Sequence, residues 1–341
     1  MADQELATKA PENDAMEAIP IPGDTPAQVG PSMELGEHCV TDRPTPFGVG
    51  PSGEITQLGG IDVYISKPSD YPHLPSKLLL FLTGATGLHA ENNQIQADKF
   101  ATEGFVTIMP DMFSDDPLPG SMTYNESNDP SVIEQIKMRV AETGKSFLID
   151  MWLARQTPEK VLPIIQKVIE AVKDEFADAV ANGGGLYSVG YCFGGRMTLL
   201  LASEKADAQP IAHNITQNLP NIPFISQPAP PPSSDIEAGL VKKGPYIKAG
   251  AIAHATLVTK DDFIGTQVPL SFVCVENDQL FPDDVKTHGE QFLNTNGVEN
   301  EFKTYDGVPH GFATFGDYGD EKIKGRQVEA FEQMLAWLKN H

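Results

Sequence analysis

Short apolar runs alternate with stretches of helical spacing through most of the chain after residue 60. The apolar runs predict strands near 61–65, 77–83, 105–109, 186–191, 249–254, 268–275 and 301–305. The stretches between them predict helices near 91–103, 158–181, 194–204, 283–296 and 323–339. Pro158 stands at a favourable first helical position, with apolar residues at helical spacing behind it. This alternation predicts the α/β class, with a mostly parallel sheet covered by helices on both faces.

The N-terminal segment departs from that pattern. Residues 1–38 hold eight acidic side chains against a single base, Lys9, and almost no aromatic residues. Such a segment cannot bury enough apolar surface to order itself. We therefore expect residues 1–36 to form a flexible acidic tail and residues 37–341 to form one domain, since a single α/β core accommodates this length.

Two internal stretches also lack periodicity. Seven prolines fall between Pro210 and Pro232, and residues 206–248 keep neither helical nor strand spacing. A linker between domains is one interpretation, but too little chain follows for a second core, so we expect a surface excursion that borders the pocket. The second irregular stretch runs from residue 115 to 153. The aromatic residues expected to form an apolar pocket wall from this region are Phe113, Tyr124, Phe147 and Trp152.

Charge and cysteine content restrict the function classes. The formal net charge is −23, which argues against binding to nucleic acid or to anionic membrane surfaces, because both need clustered Lys and Arg. The three cysteines cannot all pair with one another, which suits a reducing compartment. The acidic N-terminus is unlike a signal peptide, no apolar run could span a bilayer, and Lys339-Asn340-His341 is not a peroxisomal signal. We expect a cytosolic protein.

The segment Gly190-Tyr191-Cys192-Phe193-Gly194 carries the strongest chemical signal. It closes an apolar run at 186–189 and precedes helix-compatible residues 196–201. Glycines two residues either side of a nucleophile permit the sharp strand-to-helix turn called a nucleophile elbow, which holds the central side chain in a pocket. A thiol near a helix N-terminus is also favoured as a thiolate. Cys192 is thus the candidate nucleophile.

An acid and a histidine follow in the order typical of α/β-hydrolases. Asp278 comes just after the apolar run that ends at residue 275, and His310 follows the last predicted strand. Each has a structural alternative. Asp278 could cap the next helix, a task that Asp283 or Asp284 could share, and His310 could be an ordinary loop histidine. The catalytic interpretation is favoured because active sites gather beyond the carboxyl ends of parallel strands.

Taken together, these motifs resemble the dienelactone hydrolase family in its eukaryotic, particularly fungal, form. The matching segments are Gly190 to Gly195, Glu276-Asn277-Asp278 with Pro282 beyond, His310-Gly311-Phe312, Met109 to Phe113 and Leu58 to Tyr64. The similarity spans roughly residues 38–341. It implies an α/β-hydrolase fold and hydrolysis of an ester or lactone by a Cys-His-Asp triad.

Two departures from the bacterial members bear on chemistry and substrate. Those enzymes have a glutamate in the loop after the third strand that helps to activate the thiol, where this chain has Gly84 or a neighbour. Thiolate formation would then rest on His310 and the helix dipole alone. They also use an arginine four residues after the histidine to hold a substrate carboxylate, where this chain has Thr314. The resemblance therefore supports the chemistry better than it supports dienelactone as substrate.

A mechanism follows from these assignments. His310 would take the thiol proton, Asp278 would orient the imidazole, and the Cys192 thiolate would attack an acyl carbon to form a thioester. The backbone N–H groups of Phe193 and Ala85 would stabilise the oxyanion. The candidates for substrate contact are Thr86, Phe113, His254 and Phe312. We expect a small-molecule ester or lactone as substrate, with no cofactor and no metal.

Other functions use the same residues. A thioesterase or acyltransferase would use this triad with a different acyl donor or acceptor. A binding or redox-sensing protein on a hydrolase scaffold would retain Cys192 without turnover. The complete triad favours an enzyme, and the missing loop carboxylate slightly favours the non-catalytic alternative.

Overall fold

The structure is a computed structural model that describes residues 43–46, 48–118, 149, 151–204 and 244–341. The predicted acidic tail at 1–36, most of the proline-rich stretch at 206–248, and the aromatic candidates Tyr124 and Phe147 lie outside these residues.

Eight strands and six helices of at least seven residues make up the described part of the chain. The strands are β1 (Glu54–Leu58), β2 (Ile61–Ser66), β3 (Lys77–Leu82), β4 (Phe105–Pro110), β5 (Leu186–Tyr191), β6 (Ala249–Ala253), β7 (Leu270–Val275) and β8 (Asn300–Tyr305). The helices are α1 (Glu91–Thr102), α2 (Pro158–Glu175), α3 (Ala177–Gly183), α4 (Phe193–Leu201), α5 (Asp283–Thr295) and α6 (Glu321–Asn340). None of these helices combines the length and apolar character needed to cross a membrane.

All eight strands belong to one sheet, in the order β1-β2-β4-β3-β5-β6-β7-β8. β1 and β2 pair antiparallel with each other and β2 pairs antiparallel with β4, whereas the other neighbours are parallel. The carboxyl ends of β5, β6 and β7 therefore meet at one edge, which is where active sites form in such sheets. This arrangement is the α/β-hydrolase fold that the sequence predicted.

Both faces of the sheet are buried. In β3, Leu78, Leu80 and Leu82 join the apolar cluster on one face, and Leu79 and Phe81 join the cluster on the other. This alternation follows from the two-residue period of a strand. Helices α2, α4 and α5 contribute to the first cluster, while α1 and α6 cover the second with residues such as Phe100 and Met334. A strand buried on both sides reads as a continuous apolar run, as the sequence showed.

Three differences between the predicted and the observed elements have a clear physical reason. Strand β1 was not predicted, because its five residues lie at the sheet edge with four of them exposed and so carry no apolar run. The single helix predicted at 158–181 is divided at Phe176, whose backbone angles of φ −119° and ψ 42° are not helical. The strand predicted from residue 268 begins at Leu270, after Pro269, which has no N–H for a sheet hydrogen bond.

Candidate active site

Cys192 occupies the turn between β5 and α4. It has φ 51° and ψ −115°, a backbone conformation that is rare for a residue with a side chain and that concentrates at functional sites. Its backbone N–H donates to the carbonyl oxygen of Ala253 at 3.0 Å, which ties the turn to the end of β6. The strained cysteine at a strand-to-helix turn is the geometry of a nucleophile elbow.

The flanking glycines are explained by close backbone approaches. A Cβ atom on Gly190 would collide with the carbonyl oxygen of Gly194 and the hydroxyl of Thr198. One on Gly194 would collide with the backbone of Leu82, at the end of β3. Because neither clash can be relieved by rotating a flexible side chain, this turn requires glycine two residues either side of the cysteine.

Asp278 and His310 form a buried pair beside the elbow. Asp278 follows β7 and its Oδ2 lies 2.7 Å from His310 Nδ1, while its Oδ1 accepts the backbone N–H of Leu280 at 2.9 Å. The alternative acids are occupied elsewhere, since Asp283 pairs with Lys286 and Asp284 pairs with Lys260. Of the three acids considered from the sequence, Asp278 is the one that contacts the histidine.

Thr256 completes the constellation and was not identified from the sequence. Its Oγ1 lies 3.0 Å from Cys192 Sγ and 3.1 Å from His310 Nε2. The three predicted residues are thus brought together with a fourth. No local signal marks this threonine, although its position just after an apolar strand could have attracted attention. The structure thus places a hydroxyl against the thiol that the sequence did not predict.

The electrostatics of Asp278 and His310 favour the charged form of both side chains. Burial by itself would lower the pKa of His310, but its hydrogen bonds with Asp278 and Cys192 raise that pKa to about 9. Burial would raise the pKa of Asp278, yet the hydrogen bond and charge of His310 hold it below its ordinary value. Each member of the pair therefore stabilises the charged form of the other.

The backbone N–H groups of Phe193 and Ala85 are the predicted oxyanion donors. Within the described residues, neither Phe193 nor Ala85 donates its N–H to another group. Phe193 is the first residue of α4, and a Cβ on Gly84, next to Ala85, would lie 3.3 Å from Cys192 Cβ. An oxyanion hole requires unpaired donors beside the nucleophile, and these two N–H groups stay the predicted ones.

The four candidates for substrate contact have different surroundings. Thr86 is partly exposed and its Oγ1 accepts from Asn93 at 3.0 Å. Phe113 and Phe312 are 0% exposed, and His254 is 1% exposed. Phe113 packs edge-on against Trp152 and Phe193, behind the elbow. Contact of these side chains with substrate stays a prediction, because Cys192 itself is only 3% exposed.

His254 has an unusual environment. Both ring nitrogens are buried without a hydrogen-bond partner among the described residues, and its ring centroid lies 5.1 Å from that of His310. Burial, and then the charge of His310, lower the pKa of His254 well below its ordinary value. The side chain is therefore a neutral imidazole that packs beside the catalytic candidate.

The described residues contain no group of three or more His, Cys, Asp or Glu side chains arranged to hold a metal ion. Cys274, in β7, is buried, and this burial raises the pKa of its thiol to about 12. Cys274 is therefore an uncharged packing residue.

An eight-stranded sheet with a cysteine at its elbow, an aspartate after β7 and a histidine after β8 defines an enzyme of the α/β-hydrolase class. The model of the dienelactone hydrolase family matches residues 61–229 and 236–341. The chain belongs to that family and is a carboxylic ester hydrolase.

Fungal proteins are among its relatives. The chain is 24% identical over 289 residues to the hydrolase pyvD of Aspergillus violaceofuscus, covering 85% of this chain and 90% of that protein. It is also 24% identical to dienlactone hydrolase 1 of Gibberella moniliformis, covering 84% and 87%.

Solved structures share the fold. A Klebsiella pneumoniae protein assigned as a dienelactone hydrolase matches with a TM-score of 0.56 and 17% identity, covering 85% of this chain and 99% of its own. A thermophilic esterase from Thermogutta terrifontis matches with a TM-score of 0.51 and 14% identity, covering 84% and 92%.

Proposed function

We propose that this enzyme cleaves an activated ester or a lactone through Cys192, His310 and Asp278, with a thioester acyl-enzyme as intermediate. One observation carries the proposal. A continuous series of contacts runs from Asp278 to His310 at 2.7 Å, from His310 to Thr256 at 3.1 Å, and from Thr256 to Cys192 at 3.0 Å. The series ends at Cys192, whose strained backbone conformation is typical of residues at functional sites.

Acylation begins with the thiolate. Asp278 accepts the Nδ1–H of His310, which leaves Nε2 to take the thiol proton. The thiolate then attacks the acyl carbon and forms a C–S bond, while the carbonyl oxygen gains negative charge. The N–H groups of Phe193 and Ala85 are the proposed donors to that oxygen. When the intermediate collapses, the C–O bond breaks and the proton of His310 passes to the departing oxygen, or to solvent where that oxygen leaves as a stable anion.

Deacylation uses the same groups in reverse. His310 removes a proton from a water molecule, and the resulting hydroxide attacks the thioester carbon. The C–S bond breaks, the carboxylic acid is released, and the thiolate is restored beside the protonated imidazole. The raised pKa of His310, about 9, favours a charged imidazole beside Cys192 at neutral pH.

The substrate class follows from the leaving group. A thiol with a pKa of about 8.5 is expelled from the tetrahedral intermediate more readily than an alkyl alkoxide. Enol lactones, aryl esters and thioesters avoid this problem, because their leaving groups are stable anions. We therefore propose a dienelactone-like enol lactone or another activated ester, and the thioesterase alternative remains within the same class of chemistry.

A free carboxylate on the substrate is not expected to matter. Thr314 stands where the resemblance places an arginine, and its carbonyl oxygen accepts from Gln327 at 2.6 Å. Arg155, one possible replacement, lies 3.3 Å from a carboxylate oxygen of Asp116. The other, Arg139, lies outside the described residues.

The test is active-site labelling combined with turnover. A fluorophosphonate or iodoacetamide probe followed by mass mapping should modify Cys192 first, and the same preparation should hydrolyse phenyl acetate or an enol lactone. Labelling at Cys192 without hydrolysis of any ester, lactone or thioester would support the binding or redox-sensing alternative. Turnover that persists in Cys192→Ala would refute the proposal. The expected cytosolic location and the absence of nucleic-acid binding stay predictions.

A further inference from the structure

Thr256 lies between the proposed nucleophile and the proposed base. Its hydroxyl oxygen is 3.0 Å from Cys192 Sγ and 3.1 Å from His310 Nε2, and the residue is 0% exposed. The other nitrogen of the imidazole faces Asp278. The buried hydroxyl therefore contacts both the atom that would lose the proton, Cys192 Sγ, and the atom that would receive it, His310 Nε2.

Backbone contacts, rather than the hydroxyl itself, hold Thr256 in place. Its N–H donates to the carbonyl oxygen of Cys192 at 3.1 Å, and the N–H of Cys192 donates to Ala253 at 3.0 Å. These two hydrogen bonds attach the loop after β6 to the elbow from both sides. Removing the hydroxyl should thus leave the backbone of both residues where it is.

The hydrogen-bonding capacity of a hydroxyl suits both protonation states of the pair. A threonine hydroxyl can donate one hydrogen bond and accept two. When Cys192 and His310 are charged, the Thr256 hydroxyl accepts the Nε2–H of the imidazolium and donates its own proton to the thiolate. When both residues are neutral, the hydroxyl accepts a hydrogen bond from the thiol and donates one to Nε2. No other side-chain group is needed to satisfy either state.

His310 also contacts the thiol, and its hydrogen bond with Cys192 is one of the causes that raise the pKa of the imidazole. The loop Thr83-Gly84-Ala85-Thr86-Gly87 has no ionisable side chain, although Gly84 faces the cysteine closely enough that its Cβ would lie 3.9 Å from Sγ. Arg196, on α4, is held by Asp262 at 3.0 Å and 3.2 Å. Hydrogen bonds to a charged group contribute more than those to a neutral one.

We propose that the Thr256 hydroxyl stabilises the thiolate and imidazolium pair and thereby lowers the pKa of the Cys192 thiol. The inference rests on the proposed role of Cys192 as nucleophile. In the ionisation step the S–H bond breaks and the thiol proton forms an O–H bond with Thr256. The original hydroxyl proton passes to His310 Nε2 and forms the N–H bond there. The net transfer is one proton from sulfur to nitrogen, and the hydroxyl is unchanged.

The test compares Thr256→Val, which keeps the shape and removes the hydroxyl, with Thr256→Ser, which keeps the hydroxyl. The readout is the pH dependence of Cys192 alkylation by iodoacetamide, with mass mapping to separate the thiols. Thr256→Val should raise the apparent thiol pKa by about one unit or more and slow alkylation at pH 6 by about tenfold or more. Thr256→Ser should stay within about threefold of the wild-type rate.

Two outcomes would overturn the proposal. In the first, the valine variant keeps the wild-type thiol pKa, whatever happens to its melting temperature, which would make the threonine a packing residue. In the second, the serine variant is as slow as the valine variant. Because alkylation needs no substrate, the test is independent of hydrolysis. A raised thiol pKa in Thr256→Val would support the role of Thr256 even if no ester were turned over by the wild-type enzyme.

Discussion

Cys192 and Thr256 meet twice, once through the backbone and once through their side chains. The carbonyl oxygen of Cys192 accepts the N–H of Thr256 at 3.1 Å, and the Cys192 sulfur lies 3.0 Å from the Thr256 hydroxyl. The backbone contact holds the loop after β6 against the elbow, and the side-chain contact gives the thiol a polar neighbour within an apolar core. The elbow is thus supported by β6, the one of the four strands β5 to β8 that none of the three proposed triad members follows directly.

Replacement of the nucleophile should abolish hydrolysis and preserve the fold. Cys192→Ala removes only the sulfur of a small side chain, so we expect a melting temperature close to that of the wild type and no detectable ester turnover. Cys192→Ser should be nearly as poor, because a hydroxyl lacks the easy ionisation of a thiol. Circular dichroism and kcat/KM on phenyl acetate would measure both effects. A serine variant with most of the activity would show that a thiolate is not the nucleophile.

Replacement of the proposed triad acid should slow the reaction, whereas replacement of the neighbouring acids should have little effect. Asp278→Asn removes the negative charge that orients His310 and stabilises its charged form, so kcat should fall by about 10²- to 10⁴-fold. Asp283→Asn and Asp284→Asn are matched controls, since these acids contact lysines instead. If Asp283→Asn were the damaging change, our assignment of the acid would be wrong.

Turnover should fall steeply as the leaving group becomes more basic. A thiolate competes with the departing oxygen in the tetrahedral intermediate, so phenyl and enol esters should exceed alkyl esters of the same acid, and amides should be inert. The measurement is kcat/KM across such a series, with and without a distal carboxylate on the acyl group. A flat series would contradict the thiolate mechanism. A large gain from the carboxylate would show that an arginine, Arg139 or Arg155, binds it.

His254 should make the protein less stable in mild acid. Its pKa in the folded state is lowered well below 6.5, so below pH 6.5 the unfolded chain binds a proton that the folded chain does not. The free energy of unfolding should therefore decrease as pH falls from 6.5, by up to about 1.4 kcal/mol for each pH unit. The raised pKa of His310 has the opposite consequence, because its contribution is present below pH 6.5 and is lost toward pH 9.

Urea unfolding of His254→Phe between pH 6.5 and about pH 5 would isolate the first effect. The slope of stability against pH should be smaller in this variant than in the wild type, and the exposed His73 provides a control through His73→Phe. The comparison uses slopes because His254 has φ 37°, a conformation that phenylalanine adopts at some cost. Equal slopes in all three proteins would mean that His254 is already charged, or solvated, in the folded state.

Much of the fold could be predicted from the chain alone. A strand buried on both faces must be apolar at consecutive positions, so β3 to β7 were visible as runs, and the helices between them kept their period. β1 could not be predicted, because an exposed edge strand does not require consecutive apolar residues. β1 pairs with β2 through backbone hydrogen bonds, which every residue except proline can form. The residue types therefore do not reveal this pairing.

The residues of the candidate site also differ in how far the sequence could reveal them. Gly190, Cys192 and Gly194 were recognisable because the turn itself excludes a Cβ at both glycines, a local constraint that any sequence with this elbow must meet. Asp278 and His310 were recognisable because they follow strands. The sequence alone thereby determined the order and the identity of these three residues, and left their contacts as predictions.

The tertiary structure alone decided what surrounds them. Thr256 is 64 positions from Cys192 and 54 from His310, and it contacts both only because β6 lies beside β5 in the sheet. His254 became a neutral buried imidazole for the same reason, although its position after a strand suggested a pocket residue. Threonine and histidine are compatible with many environments, so their residue type carries no information about the neighbours that chain folding gives them. Local constraints can be read from the order of residues, whereas burial and non-local contacts exist only once the sheet has formed.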